Sequence, residues 1–283
     1  MKYLVVGLGS MGKRRVRCLK ALGFSEIVGL DLSENRRNEA EEKYQITTVN
    51  NIEFVDLASI DAMIISLPPD KHIDYAKIAI ANNIPAFIEA SVISKHSLEI
   101  KNILKNKDVF IAPSCTLKFH PVIKDIKEII VSKKFGLLAN FTFHSGQYLP
   151  DWHPWEKVKD FYVSKRETGG AREIVPFELT WILDVFGFPT DIKGYYASTM
   201  DIGAEIEDSY AFVMKFEKGI GSVIVDVAAR FATRSLIINL EKAQIRWNWE
   251  EGTLKIFEAD KKRWLHFYQP EGRAETGYNK NII

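Results

Sequence analysis

Cysteine is scarce in this chain: Cys18 and Cys115 are the two in 283 residues, they fall in different predicted elements, and they form no Cys-x-x-Cys unit. That excludes a disulfide framework and a thiolate metal or redox motif, and leaves two reduced, mostly buried thiols as the expectation. No sign of charge dominates. Lys and Arg number 38 against 37 Asp and Glu, so no cationic excess is present to neutralise a nucleic-acid backbone, and nucleic acid is not an expected partner. The opening apolar run, Met1-Lys2-Tyr3-Leu4-Val5-Val6, breaks into glycine well before the length of a signal peptide's apolar core or a membrane span. A cytoplasmic protein without a membrane partner is therefore expected. Internal repeats and low-complexity segments are lacking, and no metal site is expected. What is there is an ordinary globular composition, 46% hydrophobic and 27% charged, in a chain long enough for two domains.

Over the first ~113 residues, short apolar strands alternate with amphipathic helices, the pattern of a parallel sheet covered on both faces. The predicted strands are 3–7, 27–31, 62–66, 86–89 and 109–113, with helices near 12–22, 34–44, 72–82 and 98–105. After Pro113 the character changes. A helix at 121–131, a strand at 137–144, an aromatic loop from Gln147 to Tyr162 and a helix at about 174–186 come first. Alternating runs at 210–216, 221–227, 236–240 and 245–249, parted by turns such as Glu217-Lys218-Gly219, then read as consecutive antiparallel strands. The expected fold class is α/β: an N-terminal Rossmann domain over residues 1–115, then an α+β domain on a largely antiparallel sheet over residues 116–283.

Gly7-Leu8-Gly9-Ser10-Met11-Gly12 follows a predicted strand and opens a predicted helix, the context in which a Gly-x-Gly-x-x-Gly match is informative. Gly7 permits the tight turn, Gly9 lets backbone approach a pyrophosphate, and Gly12 allows close helix–strand packing. The N–H groups of Ser10 and Met11, at the positive end of the helix, face the diphosphate. Asp31 ends the second strand about twenty residues on, where a carboxylate accepts from both adenosine-ribose hydroxyls and repels a 2′-phosphate. The expected cofactor is NAD. Arg36 and Arg37 fall in a charged helix and are expected to be solvated surface.

With the glycine turn, Asp31, the loop Ser66-Leu67-Pro68-Pro69-Asp70-Lys71-His72 and Glu89 in order, the chain resembles the glucose-fructose oxidoreductase and inositol dehydrogenase (Gfo/Idh/MocA) family. The resemblance implies that Ser66, Leu67, Pro68 and Glu89 contact the cofactor, with His72 either joining them or serving as a helix N-terminal residue with no ligand. Leu117-Lys118-Phe119-His120-Pro121 is similar to the family's Arg-Phe-x-Pro segment, with Lys118 in place of Arg, and Thr168-Gly169-Gly170 to its glycine-rich helix start flooring the substrate cleft. It also implies subunit contacts through the open face of the second sheet, in a homodimer or homotetramer.

The sequence departs from that family where the chemistry is done. Its usual Glu-Lys-Pro, whose lysine polarises the reacting hydroxyl or carbonyl, is Glu89-Ala90-Ser91 here, and the second-domain helix shows Ile174, Phe177 and Glu178 where the family's Asp and His stand. Another titrating group must then take the hydroxyl proton if the protein is a dehydrogenase. His153 is the first candidate and Glu178 the second, each set against a structural role in ordering a loop or forming an ion pair. The stretch 146–156 combines aromatic faces with polar groups suited to a sugar ring. Tyr148 and Trp152 are its candidate substrate contacts, joined by Lys118, Glu173 and Arg172, whose planar cation suits a phosphate or carboxylate. The expected substrate is a sugar or nucleotide sugar. The rival expectation is an NAD(H)-binding sensor or scaffold without turnover, and a third is a lyase or epimerase that oxidises its substrate transiently. Family members generally continue beyond Gly277-Tyr278-Asn279-Lys280-Asn281-Ile282-Ile283, so a truncated C-terminus is also expected.

Overall fold

The computed structural model describes residues 1–90 and 92–268; Ser91 and the C-terminal Gly277–Ile283 segment lie outside the described residues. The described chain divides into two compact units between Ser114 and Cys115. The first runs β1 (Tyr3–Val6), α1 (Ser10–Ala21), β2 (Ile27–Leu30), α2 (Glu34–Tyr44), β3 (Thr47–Val49), β4 (Ala62–Ile65), α3 (His72–Ala81), β5 (Ala86–Ile88), α4 (Ser94–Leu104) and β6 (Ile111–Pro113). All strand pairs are parallel, in the order β3-β2-β1-β4-β5-β6. Strands buried on both faces need continuous apolar runs, and Leu4, Val5 and Val6 are fully buried, Leu4 and Val6 in one cluster and Val5 in another. The strand order reverses between β1 and β4, which opens a crevice at the carboxyl ends of the strands. The short β3 has no counterpart in the sequence reading: three residues with one exposed carry little periodicity.

The second unit comprises α5 (Pro121–Ser132), β7 (Leu138–Tyr148), α6 (Ala171–Phe186), β8 (Asp191–Ala197), β9 (Ser209–Lys215), β10 (Ile220–Asp226), β11 (Ala228–Leu240), β12 (Ala243–Asn248), β13 (Thr253–Glu258) and β14 (Arg263–Tyr268). These strands form one sheet, β14-β13-β12-β11-β7-β10-β9-β8, antiparallel except where β7 meets β10. Alternation along β7 sends Phe141 and Phe143 into a core shared with Ile123 and Ile126 of α5 and Trp181 and Ile182 of α6. The opposite face keeps exposed apolar residues such as Val213, Ile220, Ile224 and Ile237. α6 begins at Ala171, earlier than periodicity suggests, because Gly169 and Gly170 pack against the backbone: a Cβ on Gly169 would lie 1.8 Å from the Val163 carbonyl oxygen. Pro176 inside the helix removes one donor without ending it. Among the described residues, no helix is long and apolar enough to cross a membrane, and no cluster of metal-ligating side chains occurs.

α6 is bolted to the sheet by a charge. Glu178 has no exposed surface, and its carboxylate accepts from Ser145 Oγ at 2.8 Å, Trp181 Nε1 at 2.7 Å and Arg234 Nη2 at 2.8 Å. Thus β7, α6 and β11 meet on one anion. Removing it strands the Arg234 cation and two donors in the interior, so Glu178→Ala should destabilise the protein by about 3–5 kcal/mol. Denaturant unfolding would measure this, and a loss below about 1 kcal/mol would show that the network relaxes instead.

Candidate functional site

The three glycines of the first turn separate into two kinds. Gly7 has φ +89°, and a Cβ there would lie 2.6 Å from the Ser66 carbonyl oxygen; one on Gly12 would lie 1.7 Å from the Gly7 carbonyl oxygen. Both residues are needed for α1 to sit on β1. Gly9 is different: its φ is −68°, and a Cβ would meet nothing nearer than Arg36 Nη1 at 4.0 Å. The fold alone does not require glycine at this position, so the open space beside it is available to a ligand. The first N–H groups of α1, at Ser10 and Met11, have no acceptor within the helix and stand beside that space.

Asp31 is held in place by the backbone. Leu8 N donates to its Oδ2 at 2.7 Å and Ser33 N to its Oδ1 at 2.8 Å, leaving each oxygen a lone pair for a hydroxyl. Of the two arginines, Arg36 stays exposed as expected from the sequence, while Arg37 is partly buried. Arg37 Nη1 donates to the Asp31 and Leu32 carbonyls at 2.8 and 3.0 Å and so closes the β2–α2 loop, while Arg36 Nη1 reaches 3.7 Å from Asp31 Oδ2. Helical geometry folds both back over the strand end.

At the β4 and β5 ends, Ser66 offers a buried hydroxyl without a partner among the described residues, a donor that a polar ligand can use. Leu67 and Pro68 are half-buried beside it, Leu67 with its side chain against Gly7. His72 is 3% exposed and its Nε2 lies 2.7 Å from the Leu67 carbonyl oxygen, so it braces this loop from beneath; burial lowers the imidazole pKa and keeps it neutral. Glu89 is gripped by Arg15 through two hydrogen bonds of 2.6 and 3.0 Å, and the same guanidinium lies 4.7 Å over the Phe87 ring. The open glycine, the tethered carboxylate and the free hydroxyl line one edge of the parallel sheet and fit a dinucleotide.

In the second unit, His153 is stacked between Trp155 and Phe161, with ring centroids 5.2 and 4.7 Å away, and its Nδ1 is 3.3 Å from Glu156 Oε2. One ring nitrogen thus faces a carboxylate, the arrangement of a general base with its orienting partner. Tyr148 carries Arg230 on its face at 3.8 Å, Trp152 keeps a buried indole N–H without an acceptor among the described residues, and Glu173 accepts from Tyr162 Oη at 2.8 Å. Arg172 is exposed and makes no hydrogen bond among the described residues. Lys118 pairs with Asp184 at 3.1 Å, a carboxylate that Lys127 shares at 2.8 Å.

Residues 1–108 match the family model for the Gfo/Idh/MocA oxidoreductases, described as an oxidoreductase family with an NAD-binding Rossmann fold. The match spans almost all of the first unit and stops short of the second. No curated protein matches the chain significantly. The whole chain shares its fold with solved structures of low identity. An oxidoreductase from Agrobacterium radiobacter in complex with NAD+, L-tartaric acid and magnesium has a TM-score of 0.84 at 14% identity, over 100% of this chain and 84% of that one. Levoglucosan dehydrogenase in complex with NADH gives 0.83 at 16% identity, over 100% and 83%. UDP-N-acetylglucosamine 3-dehydrogenase GnnA from Acidithiobacillus ferrooxidans gives 0.76 at 15%, over 98% and 85%.

Ala90, which follows Glu89, is half-buried and carries no titratable group. The expectation that Glu178 acts as an acid or base is corrected by its burial: its carboxylate is committed to Arg234, Ser145 and Trp181 inside the second unit. The sequence reading also missed Arg15, Arg166, Tyr196 and Tyr210, whose partners lie 14 to 74 positions away, where no motif marks them.

Two outcomes test the nucleotide site. Gly9→Val should fold normally yet lower NADH affinity by at least roughly 100-fold, ~2.7 kcal/mol, because its side chain fills space that only the ligand uses. Calorimetric titration showing retained affinity in a folded variant would remove the pyrophosphate from this turn. The wild type should also bind NADH more tightly than NADPH, since Asp31 opposes a 2′-phosphate; equal or tighter NADPH binding would hand the specificity to Arg36.

Proposed function

We propose that the protein is an NAD-dependent oxidoreductase acting on a CH–OH carbon of a sugar or nucleotide-sugar derivative, with a proton acceptor other than the family's usual lysine. The open Gly9 beside a backbone-tethered Asp31 carries this reading. The shared fold with levoglucosan dehydrogenase and UDP-N-acetylglucosamine 3-dehydrogenase supports the substrate class. Bound NAD+ supplies the hydride acceptor. The chain must supply the rest: hold the carbinol carbon, exclude water and take the hydroxyl proton. His153, with Glu156 on Nδ1 and aromatic rings on both faces, is the acid/base group of this proposal, and Trp152, Tyr148 and Glu173 provide stacking and polar contacts for a sugar.

A second reading, a cofactor-binding sensor or scaffold without turnover, is favoured by Ala90 in the lysine position and by the consumption of Glu178 in the core. Absorbance of the reduced nicotinamide, followed with NAD+ and a panel of sugars and nucleotide sugars, separates the two. Turnover is expected, with His153→Ala lowering kcat by roughly 100-fold and Ala90→Lys giving no gain. A cofactor that binds and never changes redox state would establish the second reading, and activity in Ala90→Lys alone would identify a disabled site.

A further inference from the structure

Four side chains in the second unit, distant in sequence, form a surface that the proposed oxidation does not use. Tyr196 on β8 and Tyr210 on β9 are paired across the strands, with rings stacked at 5.6 Å and 29°. Tyr196 is 61% exposed, unusual for a large ring on a strand and available for a further stacking partner. Beside them stand two guanidiniums. Arg166 gives Nε to Glu207 Oε1 at 2.6 Å, which fixes the plane of the group, while its side chain stays 67% exposed. Arg172 is exposed and has no hydrogen-bond partner among the described residues.

The fold gathers these groups around Glu207: Ala171 N, next to Arg172, donates to its carbonyl at 3.1 Å, Arg166 holds its carboxylate, and Tyr210 follows three residues on. Burial raises the Tyr210 pKa, Glu207 and Tyr196 raise it further, and Arg172 and Arg166 oppose the shift, so all four groups act on one phenol. Glu207 pairs with Arg166, so the Arg172 guanidinium keeps its donors for a ligand. The chemistry of the cluster is specific: forked N–H donors match phosphate oxygens, and an exposed aromatic face matches a planar base. A free neutral sugar needs neither.

We propose that Arg166, Arg172, Tyr196 and Tyr210 seat the diphosphate and base of a nucleotide-activated sugar, with the arginines on the phosphates and Tyr196 stacked on the base. This deepens the oxidoreductase reading and rests on it for the fate of the sugar. The test uses full-length protein saturated with NADH, so that the Rossmann site is closed to competitors, titrated calorimetrically with UDP, GDP and uridine. A nucleoside diphosphate is expected to bind, and Arg166→Gln with Arg172→Gln to weaken it at least tenfold while NADH affinity and circular dichroism stay unchanged. Tyr196→Ala should weaken UDP and uridine alike, whereas the double arginine variant should affect uridine little. Absence of diphosphate binding to the NADH-loaded protein, or binding unaltered in a folded double variant, overturns the proposal. Oxidation of free sugars with no nucleotide binding would overturn it and leave the oxidoreductase reading intact. Diphosphate binding lost in the double variant, with no substrate ever oxidised, would uphold this site and refute that reading.

Discussion

The nucleotide-binding unit depends on one close approach, that of Gly12 to the carbonyl of Gly7. No side chain other than hydrogen fits there, so α1 is drawn down onto the end of β1 and its unpaired N–H groups are delivered to the crevice where the strand order reverses. The second consequence is at Asp31. Because the turn is tight, Leu8 N points across to β2 and fixes the carboxylate, which is then neither free to rotate nor fully used. The placement of this carboxylate is thus a by-product of backbone geometry: move Gly12 and the acidic group loses its register with the turn.

Local order was legible in the sequence wherever one residue type dictated the backbone. The glycine turn, the alternation in β7 and the buried run of β1 all follow from neighbours within a few positions. Illegible features are those in which a charge finds its partner through the fold. Glu178 looks like an acid/base candidate because its helix position matches a catalytic one; only the approach of Arg234, 56 residues later, shows it to be a core anion. Arg36 and Arg37 read as surface by composition, and Arg36 is exposed, yet the β2–α2 loop turns Arg37 onto backbone carbonyls. The bulge in β11, where pairing to β7 jumps from Ala228 to Thr233, likewise has no periodic signature.

Buried polar groups divide the second unit into a rigid part and an adaptable one. Glu178 and Asp208, both without exposed surface, have their oxygens committed, the first to α6 and the sheet and the second to Thr199 and Met200. Such networks specify a single packing because any shift strands a charge. The aromatic stretch around Trp152 and His153 is built otherwise, by ring stacking with an uncommitted indole N–H, and stacking tolerates displacement that ion pairs do not. A recognition surface that must accommodate a ligand is better made from the second kind of contact, held in place by the first.

Glu89 shows how a buried charge is balanced in the first unit. A carboxylate only 8% exposed needs a cation within reach, and its neighbour in sequence, Ala90, supplies none. Arg15 supplies the charge from α1, bidentate and itself buried, with its guanidinium resting on Phe87. The electrostatic requirement of Glu89 is therefore met without an amine at position 90, and the site can dispense with that residue structurally. An amine restored there would face a carboxylate already neutralised by a better-placed partner, and would bear its own desolvation penalty with little return. The Glu89 corner is thereby stabilised as structure, its charge balanced from α1 and not from the residue that follows it in sequence.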